Sequence, residues 1–526
     1  MSLLLLALSL LQQYWTGIIL AVFITKLTYN RYGRGLSHIP GPILASLSDT
    51  WIFIHYVRRR GITEFDLHRK YNSPLLRLGP NTISVADPKA IKTIYGWKPI
   101  LNKSRLYISQ YVTAADGTVL DNVSSTRDET KHSALRRPIA NAYALATLIE
   151  YEPLVDSTSR IFFQQMESRF AKTGEECDLS KWLQMYAFDI IGELTFSKRF
   201  GFLEKGKDIG NMMHHTGQAM DYIGIMGQLP FLDEYIRLKG FGNILRKFRP
   251  TGPLMKFTVK QIRNHTAEVT NAKLTDFLTK FLQARKKYPE LITNQRLATY
   301  ANTNVSAGSD TTGIALREII YRILISEHSQ EKVVDEIRRI LQNRIAKGED
   351  VERPITWSEG WNDMPYFQAV VKESLRIHPG LGQLIPRDVP PGGIMVCDTF
   401  IPEGTVVGCN AWTVHRDRNI FGSDAEEFVP ERWLPRGNEP GDVERLRKME
   451  NAFFSFGAGP RVCLGKNIAL LEISKFIPEF LRRFHIALVD KKRYRIVPGW
   501  LVLQKGLDVT LRARDTGRED LGVSLH

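Results

Sequence analysis

The spacing of apolar positions changes from one region of this chain to the next. Residues 2–25 are nearly all apolar, broken by Gln12, Gln13 and Thr16, a run just long enough to cross a bilayer as a helix. From about 126 to 345 apolar residues recur at three- and four-residue steps, as in Trp182, Met185, Phe188, Ile191 and Leu194, which predicts helices. Further helices are predicted over 62–72, over 363–378 and over 466–484. The second should end at or just before His378, because Pro379 follows, and Pro478 implies a kink or early stop in the third. Residues 74–86 read as a hairpin turning near Gly79-Pro80-Asn81. The Gly- and Pro-rich stretch 381–411 signals hairpins, and 486–512 alternates like strands with a turn at Lys505-Gly506. Residues 344–354 and 435–450 are charged and predicted to be exposed loops, and the chain after Ala513 is a polar tail. The fold class expected is mainly α with a small β-rich part. No strand–helix alternation supports a doubly wound sheet. No phosphate loop or dinucleotide fingerprint is present, so a redox enzyme of this kind draws electrons from a partner.

Positive charges Lys26, Arg31 and Arg34 follow the apolar run and none precedes it beyond the terminal amine. The positive-inside tendency then leaves the bulk of the chain in the cytosol, behind a single-pass anchor. A cleaved signal peptide is the competing reading; it lacks a basic start, and Ala7-Leu8-Ser9 is a poor cleavage site so early. Pro40-Gly41-Pro42 redirects the chain stiffly and suits a hinge between anchor and globule.

The net charge of +15 suits contact with an anionic membrane or an acidic protein. No long basic run with interleaved aromatics points to nucleic acid. The cysteines, Cys177, Cys397, Cys409 and Cys463, form no Cys-x-x-Cys pair. They are too few for a disulfide framework and fit a reducing compartment.

Cys463 lies in Phe453-Phe454-Ser455-Phe456-Gly457-Ala458-Gly459-Pro460-Arg461-Val462-Cys463-Leu464-Gly465. Its glycines allow a tight turn against a flat ligand. A helix expected from Lys466 puts the cysteine near a helix N-terminus, where the dipole favours a thiolate. Taken alone, a cysteine in a glycine-rich turn is usually just buried. Here Phe456, Gly459, Arg461, Cys463 and Gly465 complete the pattern Phe-x-x-Gly-x-Arg-x-Cys-x-Gly. The segment resembles the haem-binding loop of the cytochrome P450 superfamily. That resemblance implies haem b with Cys463 as the axial iron ligand, Phe456 near the thiolate and Arg461 at a haem propionate.

Other segments carry the same resemblance. Ala307-Gly308-Ser309-Asp310-Thr311-Thr312 falls inside a helical pattern. An acid beside an alcohol can relay protons, although a helix end with a new cap at Ser309 is also open to these residues. The resemblance assigns Asp310 to proton supply and Thr311 to the relay, with Gly308 leaving room over the haem. Glu373-Ser374-Leu375-Arg376 and Phe428-Val429-Pro430-Glu431-Arg432-Trp433 match the motifs in which Glu373, Arg376 and Arg432 hold the haem-side core. Arg136 and Arg387 are implied propionate partners, with His132 replacing the family's usual tryptophan in His132-Ser133-Ala134-Leu135-Arg136. His415-Arg416-Asp417 fits a family stretch without a chemical role.

The resemblance spans nearly the whole globular chain. It implies a cytochrome P450 fold over 46–512, preceded by an anchor at 1–30 and a hinge at 31–45, with a polar tail at 513–526. The finer pattern looks like the fungal pisatin-demethylase-like and benzoate-hydroxylase-like branch. The function implied is a haem-thiolate monooxygenase of fungal secondary metabolism on the endoplasmic reticulum membrane. Its electrons would come from an NADPH-cytochrome P450 reductase, and its substrate would be an apolar small molecule. Competing readings are a haem-thiolate isomerase or dehydratase that uses no dioxygen, and a non-catalytic haem protein.

Overall fold

The computed structural model describes residues 3–58, 63–113, 118–238, 252–268, 276–437 and 440–514, with the side chains of residues 1–12 outside that description. The chain is mainly helical. Its spine is α4 (Asn294–Ile325), which follows α1 (Leu3–Tyr32), α2 (Glu129–Arg136) and α3 (Leu179–Phe196) and precedes α5 (Pro365–Ile377), α6 (Asp442–Ala452) and α7 (Lys466–Arg483). The Thr293 side chain caps α4 by accepting from the Arg296 N–H. Val305, Ile319, Ile320 and Ile323 of α4 are fully or almost fully buried. Around α3 and α7 an aromatic cluster closes the core. Phe476 lies 4.9 Å from Phe162 and 4.2 Å from Tyr186, ring centre to ring centre. Each such buried ring contributes about 1.5–3 kcal/mol.

The larger sheet has four strands, β1 (Leu75–Gly79), β2 (Thr82–Val85), β3 (Arg387–Asp388) and β4 (Val406–Cys409), in the order β1-β2-β4-β3. β1 and β2 form the hairpin expected from the sequence; β4 runs parallel to β2 and antiparallel to β3. A smaller antiparallel sheet joins Phe484–Leu488, Asp508–Ala513 and Cys177–Asp178. Helix α5 stops at Ile377, ahead of Pro379, as expected.

Arg77 on β1 is wholly buried, and among the described residues it has no carboxylate partner. Its guanidinium donates to the carbonyls of Asn30 at 2.5 Å and Arg31 at 2.9 Å, and to those of Gly79 and Pro80. Cations suit the carbonyl end of a helix, so Arg77 ties the end of α1 to the β1–β2 turn.

The structure departs from the sequence reading in several places. Among the described residues no helix is long and apolar enough to cross a membrane. The expected span includes residues 1–12, whose side chains are not described, and the rest of α1 carries Gln13, Thr16, Thr25, Lys26, Thr28, Asn30 and Arg31. Within 435–450, Asp442–Ala452 is a helix rather than a loop. Its apolar content is too sparse to show a period. Ion pairs Asp442–Arg445 and Glu444–Arg447 support it instead, and Arg445 donates to the Leu434 carbonyl. Within 344–354, Arg344 is buried against Glu359 and the Arg353 and Pro354 carbonyls. Helix α7 does not stop at Pro478. Proline has no N–H for the Ser474 carbonyl, and that oxygen rests on Gly360, where a Cβ would sit 2.2 Å away. The tail lies outside the described residues beyond Arg514.

Candidate active site

The loop before α7 is a series of short backbone bonds. Gly457 donates to the Phe454 carbonyl at 3.0 Å, Val462 to Gly459 at 3.1 Å, and Cys463 to Phe456 at 2.8 Å. Gly459 has φ of 62°, and a Cβ there would meet the Tyr95 carbonyl oxygen at 1.8 Å. Only glycine fits that approach. The turn delivers Cys463 to the start of α7, where the N–H groups of Gly465 and Lys466 bond its sulfur. Cys463 is exposed, and what it faces is the interior cavity. Burial pushes its thiol up; the two N–H groups, Arg136 and Lys466 pull in the opposite direction.

Beneath the loop lies a fully buried polar core. Glu373 Oε1 accepts from Arg376 at 2.8 Å, Arg432 at 2.9 Å and the Val429 N–H at 2.9 Å. Its Oε2 accepts from Arg376 at 2.8 Å and from the Trp433 indole at 2.9 Å. Buried ions stay only when every lone pair is met, and here they are.

The cavity has a volume of about 2450 Å³. Cys463 and the Thr311 hydroxyl line it together. One wall is strongly cationic, with Lys103, Arg136, Arg387 and Arg461 all lining it. Arg461 pairs with Glu129 at 2.6 Å, but among the described residues its buried Nη2 has no partner. His132 Nδ1 lies 3.4 Å from the same carboxylate, and burial holds the imidazole below its ordinary range, so it is neutral at pH 7. Arg136 turns toward the loop and donates to the carbonyls of Val462 at 2.9 Å and Pro460 at 3.3 Å. A soft sulfur donor facing a large cavity, beside cations that outnumber their carboxylates, would fit a flat iron-bearing group with two carboxylate arms.

A profile of the cytochrome P450 family matches residues 46–510. The chain belongs to the cytochrome P450 family. A cytochrome P450 monooxygenase of Aspergillus terreus is 38% identical over 483 residues, 89% of this chain and 93% of that protein. Cytochrome P450 monooxygenase cicH of Emericella nidulans is 36% identical over 506 residues, 94% of this chain and 97% of that protein. The chain also matches cytochrome P450 monooxygenase mpaDE of Penicillium brevicompactum at 35% identity over 511 residues, but spans only 58% of its length. This cytochrome P450 is therefore an oxidoreductase that incorporates oxygen, with haem b as its cofactor.

In this cytochrome P450, α4 runs unbroken through Ala307–Thr312, so no new cap forms at Ser309. Adjacent residues of a helix point about 100° apart, and Asp310 and Thr311 do different things. Thr311 faces the cavity and its hydroxyl donates to the Ala307 carbonyl at 2.7 Å. Asp310 is turned away, buried, and accepts from the Gln184 amide of α3. Burial raises its carboxyl to about 6, against the opposing pull of Arg317 and Gln184. The absent side chain of Gly308 faces Ile191 of α3 at 3.0 Å, so this glycine also serves the close α3–α4 crossing.

Sequence reasoning missed several members of the site. Glu129 holds both Arg461 and His132, and its spacing three residues before His132 was a usable signal. Gln184 and Arg317 flank Asp310 but belong to no motif. Glu472 of α7 lines the cavity, among the described residues neither carboxyl oxygen has a hydrogen-bond partner in good geometry, and burial raises it to about 8 against the opposing pull of the Thr312 hydroxyl.

Proposed function

We propose that this chain hydroxylates or otherwise oxidises a largely apolar small molecule in fungal secondary metabolism. The observation that carries the reading is the shared cavity of Cys463 and Thr311. Cys463 would hold the haem iron, while Arg461, Arg387 and His132 would stand on the propionate side with Arg136 bracing the loop. When bound, the haem supplies dioxygen activation, promoted by its thiolate ligand.

The chain's own part is binding, water exclusion and proton supply. Ile139, Ile191, Ile223, Ile314 and Leu381 line the cavity, which suits an apolar substrate. Thr311 offers a hydroxyl at the cavity wall, and Asp310 stores a proton behind the helix at a carboxyl tuned close to neutrality. Gln184 and Arg317 keep that carboxyl in place.

Electrons would come from an NADPH-cytochrome P450 reductase, drawn to a chain of net charge +15. Side chains Trp15, Ile19, Leu20, Val22 and Phe23 of α1 are exposed, which supports attachment to the endoplasmic reticulum membrane with the catalytic domain cytosolic. The pisatin-demethylase-like or benzoate-hydroxylase-like branch fits the His132 variant of the propionate site.

Two experiments test this reading. Cys463→Ala should lose the haem-thiolate absorption and all oxygen-dependent product; normal turnover would refute it. Metabolite analysis after deleting the gene names the substrate that accumulates, and product formed without dioxygen consumption would favour a haem-thiolate isomerase or dehydratase instead.

A further inference from the structure

Thr299, Thr303, Ser306 and Thr311 of α4 line the cavity, and the first three recur at steps of four and three residues, which keeps them on one face of the helix. A hydroxyl inside a helix usually donates back to the carbonyl three or four residues earlier. Thr299 does so to Gln295 at 2.9 Å, Ser306 to Thr303 at 3.4 Å and Thr311 to Ala307 at 2.7 Å. Thr303 does not, and among the described residues its hydroxyl has no hydrogen-bond partner. Asn302, the residue before it, also lines the cavity, and its amide oxygen is buried without a partner among the described residues. A buried polar atom left unmatched costs about 1–3 kcal/mol. Two unmatched polar groups thus meet the cavity at one level of α4. Apolar residues meet it as well: Met220, Ile223, Leu381 and Trp500 line the same cavity and belong to one cluster with Ile314.

We propose that Thr303 and Asn302 form a subsite that reads a hydroxyl group of the substrate, an apolar ring system carrying an alcohol or phenol at its end away from the haem. A hydroxyl can donate to the Asn302 amide oxygen and accept from Thr303, whereas a carboxylate brings no donor for that oxygen. Thr303 stands eight residues before Thr311, about 12 Å along α4. Allowing about 3 Å for the hydrogen bond, the substrate hydroxyl lies about 9 Å from the carbon that is oxidised. The inference rests on the reading of this cavity as the haem and substrate site, and it names the polar group of that substrate.

The test uses holoenzyme of the wild type, Thr303→Val and Thr303→Ser. Each is titrated with 4-phenylphenol and with biphenyl, its counterpart without the hydroxyl, and dissociation constants are read from the Soret shift. The preference for 4-phenylphenol over biphenyl, taken as the ratio of the two constants, should fall about two- to tenfold in Thr303→Val, the strength of one neutral hydrogen bond. The fall should come from weaker binding of 4-phenylphenol, and Thr303→Ser should keep the wild-type ratio. A ratio unchanged in Thr303→Val, or lowered only because biphenyl binds more tightly, would overturn the proposal. So would an equal fall in Thr303→Ser, which would assign the effect to the threonine methyl, and so would wild-type enzyme that gives no shift with 4-phenylphenol. Should Thr303→Val not retain haem, Asn302→Leu is titrated instead and read in the same way. Wild-type protein that takes up no haem would instead refute the underlying haem reading.

Discussion

His415 Nδ1 donates to the Arg376 carbonyl at 2.9 Å. The other ring nitrogen accepts the Phe454 N–H at 2.7 Å, which fixes the tautomer. The imidazole is fully buried, and burial beside Arg376 holds it at about 3, so it stays neutral. One ring therefore connects the Glu373–Arg376–Arg432 core to the start of the cysteine loop. His415→Leu leaves the Arg376 carbonyl and the Phe454 N–H unpaired. The expected loss is about 2–4 kcal/mol, read as a lower unfolding temperature together with faster haem loss. Unchanged haem retention would show that the bridge does not steady the loop.

Gly457 and Gly459 are neighbours in the loop with similar positive φ, 70° and 62°. Their surroundings differ. A Cβ at Gly457 would meet nothing closer than 3.9 Å, whereas one at Gly459 would meet the Tyr95 carbonyl at 1.8 Å. Gly457→Ala should cost only backbone strain, about 1–2 kcal/mol, and keep its haem. Gly459→Ala should displace the loop from Tyr95 and lose most of its haem. The haem-to-protein ratio of the two purified variants separates these outcomes.

Asp310 is expected to act through its proton rather than its charge. Its carboxyl titrates near 6, so the protonated fraction falls as pH rises through that value. Turnover limited by proton supply should fall over the same range. Asp310→Asn should lower turnover roughly 10²–10³-fold, within the range of general acid–base catalysis. It should also flatten this pH dependence and enlarge the solvent isotope effect. A variant that keeps the wild-type pH profile would place the proton elsewhere.

Glu472 should make the fold sensitive to alkali. Its carboxyl is raised from 4.5 to about 8 in the folded chain, so between those values the native state binds more protons than the unfolded one. Stability then falls as pH rises from about 4.5 to about 8, by at most roughly 5 kcal/mol. Glu472→Gln removes this slope, and its unfolding temperature relative to wild type should rise across that interval. Parallel curves for the two proteins would show that Glu472 ionises freely in the native state.

The turn that carries Cys463 was legible because a linear motif encodes it. Local spacing fixed the turn through Gly459 and the helix start after Cys463. The fold class, the β1–β2 hairpin and the end of α5 at Ile377 were legible for the same reason, since apolar period, turn residues and Pro379 act over a few positions. Helix α6 was not, because Asp442–Arg445 and Glu444–Arg447 pairs leave no apolar period. The continuation of α7 past Pro478 was also hidden, because it depends on Gly360 of another helix.

Local residue order is enough to put Cys463 in a tight loop at a helix start and Asp310 and Thr311 on one helix. Long-range packing sets which way each of them faces. It turned Thr311 into the cavity and Asp310 onto Gln184, and it bent Arg136 toward the loop carbonyls. It also set Lys103 beside Arg387, 284 positions further along the chain. The reason is physical. Motifs record contacts between near neighbours, while burial, charge pairing and the lining of a cavity arise between segments that meet only after the chain has folded.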